Sequence, residues 1–283
     1  MRAILSLPSR SPKPREHGLT HVLDKGIGLR QIEDLLETAS NQIDIVKLGW
    51  GTGYVTQNLE AKLAAYRDAG IATCFGGTLL ELAILQGRFD EFRRELRRLG
   101  MTHVELSTGV IDLTPEERFD YIRALARDFV VLSEVGSKDA QRIIPPYLWV
   151  EQTEADLAAG SWRVVCEARE SGTVGIYHTT GEVKAGLIEE ITHRVDPSRL
   201  IFEAPLKGQQ AWLVQKYGSN VNLGNIPTTD VIALETIRLG LRADTMGDLF
   251  DLEAWNAPRT AAKPVHATTE GAAAQPRRSS RIG

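Results

Sequence analysis

The feature that most constrains this chain is a repeat of pattern rather than of sequence. Eight short apolar runs are each closed by a charged or glycine-rich cluster, and each is followed by a helical stretch. The clusters are Asp24-Lys25-Gly26, Lys47-Leu48-Gly49-Trp50-Gly51-Thr52, Gly76-Gly77-Thr78 and Glu105-Leu106-Ser107, then Glu134-Val135-Gly136-Ser137-Lys138, Glu167-Ala168-Arg169-Glu170, Glu203-Ala204-Pro205 and Asn222-Leu223-Gly224-Asn225. Strand alternating with helix eight times in about 250 residues specifies the α/β class and, within it, a (β/α)8 TIM barrel. The C-terminal ends of such strands converge on one face, so charges scattered along the chain meet in one pocket.

The runs place strands at Thr20–Leu23, Ile43–Leu48, Ile71–Phe75, His103–Leu106, Phe129–Ser133, Trp162–Cys166, Leu200–Phe202 and Val221–Leu223. Apolar spacing places helices at Leu29–Thr38, Thr56–Ala69 and Leu79–Leu99, and at roughly 182–194, 207–217 and 229–241. Thr114-Pro115-Glu116-Glu117 reads as a helix start, with a capping hydroxyl, Pro in the first turn and acids after it. A further helix is expected between Pro145 and Gly160. The expected organisation is an irregular arm (1–15), one barrel domain (16–258) and a disordered tail (259–283), whose Ala, Pro, Ser, Thr and Arg content buries too little apolar area to order.

An excess of 37 acids over 33 Lys and Arg leaves a net charge of -4, which argues against a nucleic-acid surface. No long apolar segment is present, so neither a membrane span nor a secretory signal is expected, and the cytoplasm is the simplest compartment. Cys74 and Cys166 sit in expected strands without ligand spacing and read as buried thiols. A barrel of this size is expected to form a homo-oligomer.

Glu105, Glu134, Glu167 and Glu203 stand at the ends of four successive strands. An oxygen-rich, cysteine-free set of this kind suits Mg²⁺, which takes one or two carboxylates and keeps several waters. The alternative is ion pairing with nearby cations, and Asp24 is a reserve ligand. Lys25, Lys47, Lys138 and Arg169 form the cationic counterpart and suit a polyanionic substrate. The loops at Gly49–Gly53, Gly76–Thr78 and Leu223–Ile226 offer backbone N–H groups to a phosphate. Gly224 and Asn225, after the eighth strand, are the best placed, because barrels often bind phosphate there. GxGxxG, Walker, HExxH and GxSxG patterns are absent, and His17, His103 and His178 read as structural or surface residues.

These strings resemble the phosphosulfolactate synthase family. The resemblance is carried by Lys13-Pro14-Arg15, Gly18-Leu19-Thr20, Asp24-Lys25-Gly26, Lys47 to Thr52, Gly76 to Leu79, Glu134-Val135-Gly136 and Glu167 to Gly172. Phe202 to Pro205, Gln209-Gln210 and Val221 to Ile226 complete it, so that it spans about residues 12–246. It implies a lyase that adds sulfite to C3 of phosphoenolpyruvate with Mg²⁺, through an enediolate-like intermediate, giving 2-phospho-3-sulfolactate. In methanogens that step leads to coenzyme M. On this reading Lys138 protonates C2, with Lys25 and Lys47 as rivals or electrostatic partners. Arg169, Ser171, Gly224 and Asn225 bind substrate. Two departures stand out: Thr108 where the family pattern has Asp after Ser107, and His178 where an acid is usual. They leave open a related barrel that adds another sulfur or oxoanion nucleophile. Since the family includes plant heat-stress relatives without an established reaction, a catalytically silent barrel is the other alternative.

Overall fold

The computed structural model describes residues 4–137 and 143–252. Its strands are β1 (Thr20–Asp24), β2 (Ile45–Leu48), β3 (Ala72–Phe75), β4 (His103–Leu106), β5 (Val130–Val135), β6 (Arg163–Cys166), β7 (Leu200–Glu203) and β8 (Leu223–Pro227). All ladders are parallel, in the order β3-β2-β1-β8-β7-β6-β5-β4. The sheet curls into a nearly closed (β/α)8 barrel whose seam, between β3 and β4, carries no ladder among the described residues. The expected fold class is the observed one.

Between the strands lie α1 (Leu29–Ala39), α2 (Thr52–Val55), α3 (Leu59–Asp68), α4 (Gly77–Leu85), α5 (Phe89–Arg98), α6 (Pro115–Ala126) and α7 (Pro146–Ala159). They are followed by α8 (Ala185–Arg194), α9 (Lys207–Tyr217), α10 (Val231–Arg238) and α11 (Ala243–Leu249). The start at Thr114 is a capping box: its hydroxyl accepts from Glu117 N–H at 3.2 Å, and its own N–H donates to Glu117 Oε2 at 2.8 Å. The single helix expected over 79–99 is two, because Gly87 takes φ +66 and ends the first. The helix expected over Thr56–Ala69 is α3, which begins at Leu59, and α2 and α11 were not anticipated.

Strand parity decides which residues line the barrel. Val46 and Leu48, Val104 and Leu106, Val164 and Cys166, and Leu200 and Phe202 pack outward in the shell beneath the helices. Ile45, Cys74, Leu132, Val165 and Ile201 point inward and, with Leu19, form an apolar plug. Each fully buried Leu, Ile or Val contributes about 1.5–3 kcal/mol. Two residues beyond this plug, on the same inward parity, come Lys47, Glu134, Glu167 and Glu203. Glu105, flanked by outward Val104 and Leu106, joins them.

The segment before β1 has no helix or strand from residue 5 on, yet it is held against the N-terminal end of the barrel. Arg10 pairs with Glu235 (3.1 Å) and donates to Ser219 O (2.8 Å) and Gly18 O (3.0 Å). Lys13 donates to Ser40 O and Ile43 O, and Arg15 pairs with Asp44 at 2.9 Å. Lys138 and the expected tail from residue 259 lie outside the described residues.

Candidate active site

Parity delivers an acid-rich cavity of about 240 Å³ at the C-terminal mouth of the barrel. Lys47, Glu105, Glu134, Glu167, Arg169, Glu203 and Asn225 line it, together with Trp50, Gly76, Gly77, Thr78, Glu170 and Leu23. Seven candidates separated by up to 178 positions in the chain (225 minus 47) therefore meet around one space.

Lys47 is its centre. The ammonium lies 3.0 Å from Glu105 Oε2 and 3.0 Å from Glu203 Oε1, with all three side chains buried. Burial alone would lower the Lys47 pKa, but Glu105, Glu203 and Glu134 together hold it well above its usual value. A lysine so held is a fixed positive charge, suited to electrostatic work rather than to proton transfer. The carboxylates are oriented in turn by backbone donors: Gly77 N–H to Glu105 Oε1 (2.8 Å), Ala168 N–H to Glu203 Oε2 (2.9 Å) and Arg169 N–H to Glu167 Oε1 (2.6 Å). The Gly77 bond crosses the open β3–β4 seam. Glu81 on α4 reinforces it by accepting from the Ser107 hydroxyl, Gly109 N–H (3.2 Å), Val110 N–H (2.6 Å) and Ile111 N–H (2.9 Å).

Other expected residues are placed elsewhere. Asp24 has outward parity with Val22 and is engaged by Lys62 Nζ (2.8 Å), Tyr66 OH (2.9 Å), Gly26 N–H (2.7 Å) and Ile27 N–H (3.1 Å). It shapes the loop after β1 and is not among the residues lining the cavity. Lys25 sits over the Trp50 ring, 4.9 Å from its centroid, beside the cavity rather than on its wall. Ser171 bonds Thr173 through the hydroxyls at 2.8 Å and is likewise off the wall. Gly224 is packed below it, where a Cβ would meet Ile201 at 3.0 Å and His21 Nδ1 at 3.1 Å. Thr108 accepts from Arg118 Nη1 at 3.2 Å, and His178 lines a separate cavity between the β5–α7 and β6–α8 connections.

Sequence reading passed over Glu81, Gln209 and His21. Gln209 Nε2 donates to Gly172 O (2.7 Å) and Gly181 O (3.1 Å), holding the loop that carries Arg169. Gln209-Gln210 was a quoted string without an assigned role; Glu81 gave no signal, because a helix acid usually faces solvent. His21 is wholly buried below Lys47, and burial, followed by the nearby Lys47 charge, lowers its pKa to about 3.

Trp50, Arg169 and Asn225 take φ values of +56, +55 and +53, and among the described residues no other non-glycine has positive φ. All three line this cavity. Backbone strain gathered at one polar cavity marks a functional site, and the fold and site together define a (β/α)8 barrel with an acid-rich centre at its mouth, built around one buried lysine. The chain matches the family described as (2R)-phospho-3-sulfolactate synthase (ComA) over residues 8–244. It belongs to the phosphosulfolactate synthase family. It is 44% identical to the phosphosulfolactate synthase of Bacillus subtilis over 85% of this chain and 97% of that one. It is 43% identical to that of Methanothermobacter thermautotrophicus over 85% and 95%. Among solved structures, a 3-hexulose-6-phosphate synthase aligns over 77% of this chain and 99% of its own with a TM-score of 0.51. At 12% identity that likeness concerns the fold alone.

Proposed function

We propose that this protein is a lyase that joins sulfite to C3 of phosphoenolpyruvate, giving 2-phospho-3-sulfolactate in a Mg²⁺-dependent reaction. The observation that carries the reading is that a chain matching this family over residues 8–244 brings Lys47, Glu134, Glu167, Arg169, Glu203 and Asn225 from its strand ends to one cavity wall.

Both substrates are anions, and two unit charges 4 Å apart repel by about 4 kcal/mol at an effective dielectric of about 20. Fixed positive charge must offset several such terms. Lys47 supplies one at the floor, locked by Glu105 and Glu203 so that it cannot swing away. Arg169 supplies another at the rim, on a backbone held by Gln209. The oxygen-only donor set of Glu105, Glu134, Glu167 and Glu203 suits Mg²⁺, with one or two of these carboxylates as ligands and water completing the shell. Among the described residues no group of three or more His, Cys, Asp or Glu is arranged to hold a metal ion on its own. When bound, Mg²⁺ supplies Lewis-acid stabilisation of negative charge on the substrate carboxylate. Sulfite sulfur forms the C3–S bond, the C2–C3 π pair moves toward the carboxylate, and a proton is added at C2. Lys138 remains the proposed donor of that proton, and Lys47 the electrostatic partner. Thr108 and His178, the residues that pointed to another nucleophile, do not line the cavity.

The test is ³¹P NMR of the protein with phosphoenolpyruvate, Mg²⁺ and sulfite, with and without EDTA. A new phosphate-ester resonance that needs all three components is expected. Perturbation of phosphoenolpyruvate without turnover would reject sulfite as the nucleophile, and no perturbation would revive the silent barrel.

A further inference from the structure

The central charge pair of the mouth straddles the place where the barrel backbone is least secured. Lys47 stands on β2, in register with Cys74 on β3, whereas Glu105 stands on β4, in register with Leu132 on β5. Among the described residues no ladder joins β3 to β4. The 3.0 Å contact between the Lys47 ammonium and Glu105 therefore depends on whatever else spans the seam. Two contacts from α4 span it. In its first turn Gly77 packs so closely on β4 that a Cβ there would lie 2.7 Å from Ser107 Cβ and 2.8 Å from Ser107 N, and from this position its N–H reaches Glu105. One turn on, Glu81 accepts from the Ser107 hydroxyl and from three N–H groups of the β4–α6 connection, those of Gly109, Val110 and Ile111.

The connection that Glu81 grips is anchored on its far side as well. Arg118 donates to the Thr108 hydroxyl (3.2 Å) and to Glu134 O (3.0 Å), while two further bonds hold it to Asp156 on α7 (2.8 and 2.6 Å). β4, β5 and the chain between them thus form one framed unit, β1 to β3 form another, and α4 joins the two. Glu81 is an unusual fastener. It is 1% exposed and forms no ion pair among the described residues, so its charge is met by N–H and O–H donors alone. An apolar side chain would close the same gap without desolvating a carboxylate. What four convergent hydrogen bonds add to packing is direction as well as distance.

We infer that Glu81 is a positioning residue for the reaction: by holding α4 against the β4–α6 connection it keeps the Gly77 N–H on Glu105, and through Glu105 it fixes the place of the Lys47 ammonium. Glu81 is not among the residues lining the cavity, so it acts only through that chain of contacts. Its effect on turnover rests on the sulfite and phosphoenolpyruvate reading above. The link from Glu81 to Glu105 is a property of the fold and is tested without substrate.

The experiment compares wild type with Glu81→Gln, Ser107→Ala, Glu105→Gln and the Glu81→Gln/Glu105→Gln double variant, by turnover of phosphoenolpyruvate and sulfite with Mg²⁺ and by amide hydrogen exchange. Glutamine keeps the shape of Glu81 but turns an N–H group toward donors that need an acceptor. The kcat of folded Glu81→Gln should fall about 10- to 100-fold, with KM for phosphoenolpyruvate within about threefold of wild type. The Gly77 amide should exchange at least about 10-fold faster, while the β1–β8 ladder stays protected. In the Glu105→Gln background the same substitution should cost less than about twofold, because both losses pass through Glu105, whereas a merely structural residue would cost the same factor in both backgrounds. Ser107→Ala removes one donor of the four and should show the same pattern at about 3- to 10-fold in kcat, which decides the matter if Glu81→Gln does not fold. Unchanged kcat, an equal loss in both backgrounds or wild-type exchange at Gly77 would each overturn the inference. If wild type does not turn sulfite over, the sulfite reading fails and the exchange at Gly77 decides alone: faster exchange upholds the hold of Glu81 on Glu105, and unchanged exchange rejects it.

Discussion

Charge is buried at both ends of this barrel, on opposite terms. At the N-terminal end the half-buried Arg10 and Arg15 and the wholly buried Arg238 sit among acceptors that hold them. Arg238 donates to Ser219 O (2.8 Å), Val221 O (2.6 Å) and Leu19 O (3.1 Å), tying the chain ahead of β1 to the chain ahead of β8. Desolvation, followed by the neighbouring Arg10 charge, puts its pKa well below the usual value. At the C-terminal end one buried lysine holds two glutamates beside an open cavity, on loops whose backbone is strained at three positions. The first arrangement spends hydrogen bonds on closure, whereas the second keeps charge fixed and facing empty space. Buried charge thus marks a site only where the packing around it is incomplete.

The largest effect that would break this contrast is at Lys47. Lys47→Met leaves Glu105 and Glu203 buried without their cation, so turnover should fall at least about 10³-fold and stability by about 3 kcal/mol. Turnover by the folded fraction, measured with a denaturation curve on the same sample, separates the two losses. If folded Lys47→Met turns over normally, the mouth is built like the floor. Arg238→Met should do the reverse: about 3 kcal/mol of stability lost, through unsatisfied carbonyls at the β1–β8 junction, with kcat of the folded enzyme within about twofold of wild type. A kcat loss well beyond that would show that the floor sets the geometry of the mouth.

How much of this was legible in the sequence follows from where periodicity applies. Inside strands it applies fully: an acid flanked by two apolar residues, as Glu105 is by Val104 and Leu106, must face the barrel if its neighbours face the helices. Glu105, Glu134 and Glu203 were therefore readable. Asp24 was misassigned for the same reason: Val22 packs outward, and Asp24 shares its parity. Beyond the strand ends the backbone turns and parity carries no direction, so the sequence did not show that Lys25 and Ser171 lie off the wall while Arg169 lies on it. The bulge at Gly224-Asn225, where Thr20 pairs with Leu223 but Val22 with Ile226, is an insertion in register, visible only against its partner strand. The unbroken helix over 79–99 failed because a lone glycine in an amphipathic run is compatible with both a helix and a break, and here the barrel needs the turn.

His21 lies between the two ends and gives the finest test of the contrast. Its imidazole has no hydrogen-bond partner at either nitrogen, and its neutral form is what the fold accommodates. The folded pKa of about 3 lies below an unfolded value near 6.5, so the unfolded chain binds this proton first. The stabilising difference is fully present above pH of about 6.5 and is lost as pH falls toward the folded value, by about 2 to 3 kcal/mol at pH 4.5. His21→Val should flatten the acid limb of a stability–pH profile measured by urea denaturation. Its activity at pH 7.5 should stay within about threefold of wild type, because His21 lies beneath the cavity wall rather than on it. An unchanged acid limb would mean that water or an acidic partner reaches the imidazole and that the barrel interior is wetter than its packing indicates. A large loss of turnover would move the lower boundary of the site down from Lys47 to His21, and the division between a closed floor and a working mouth would then fall one layer deeper.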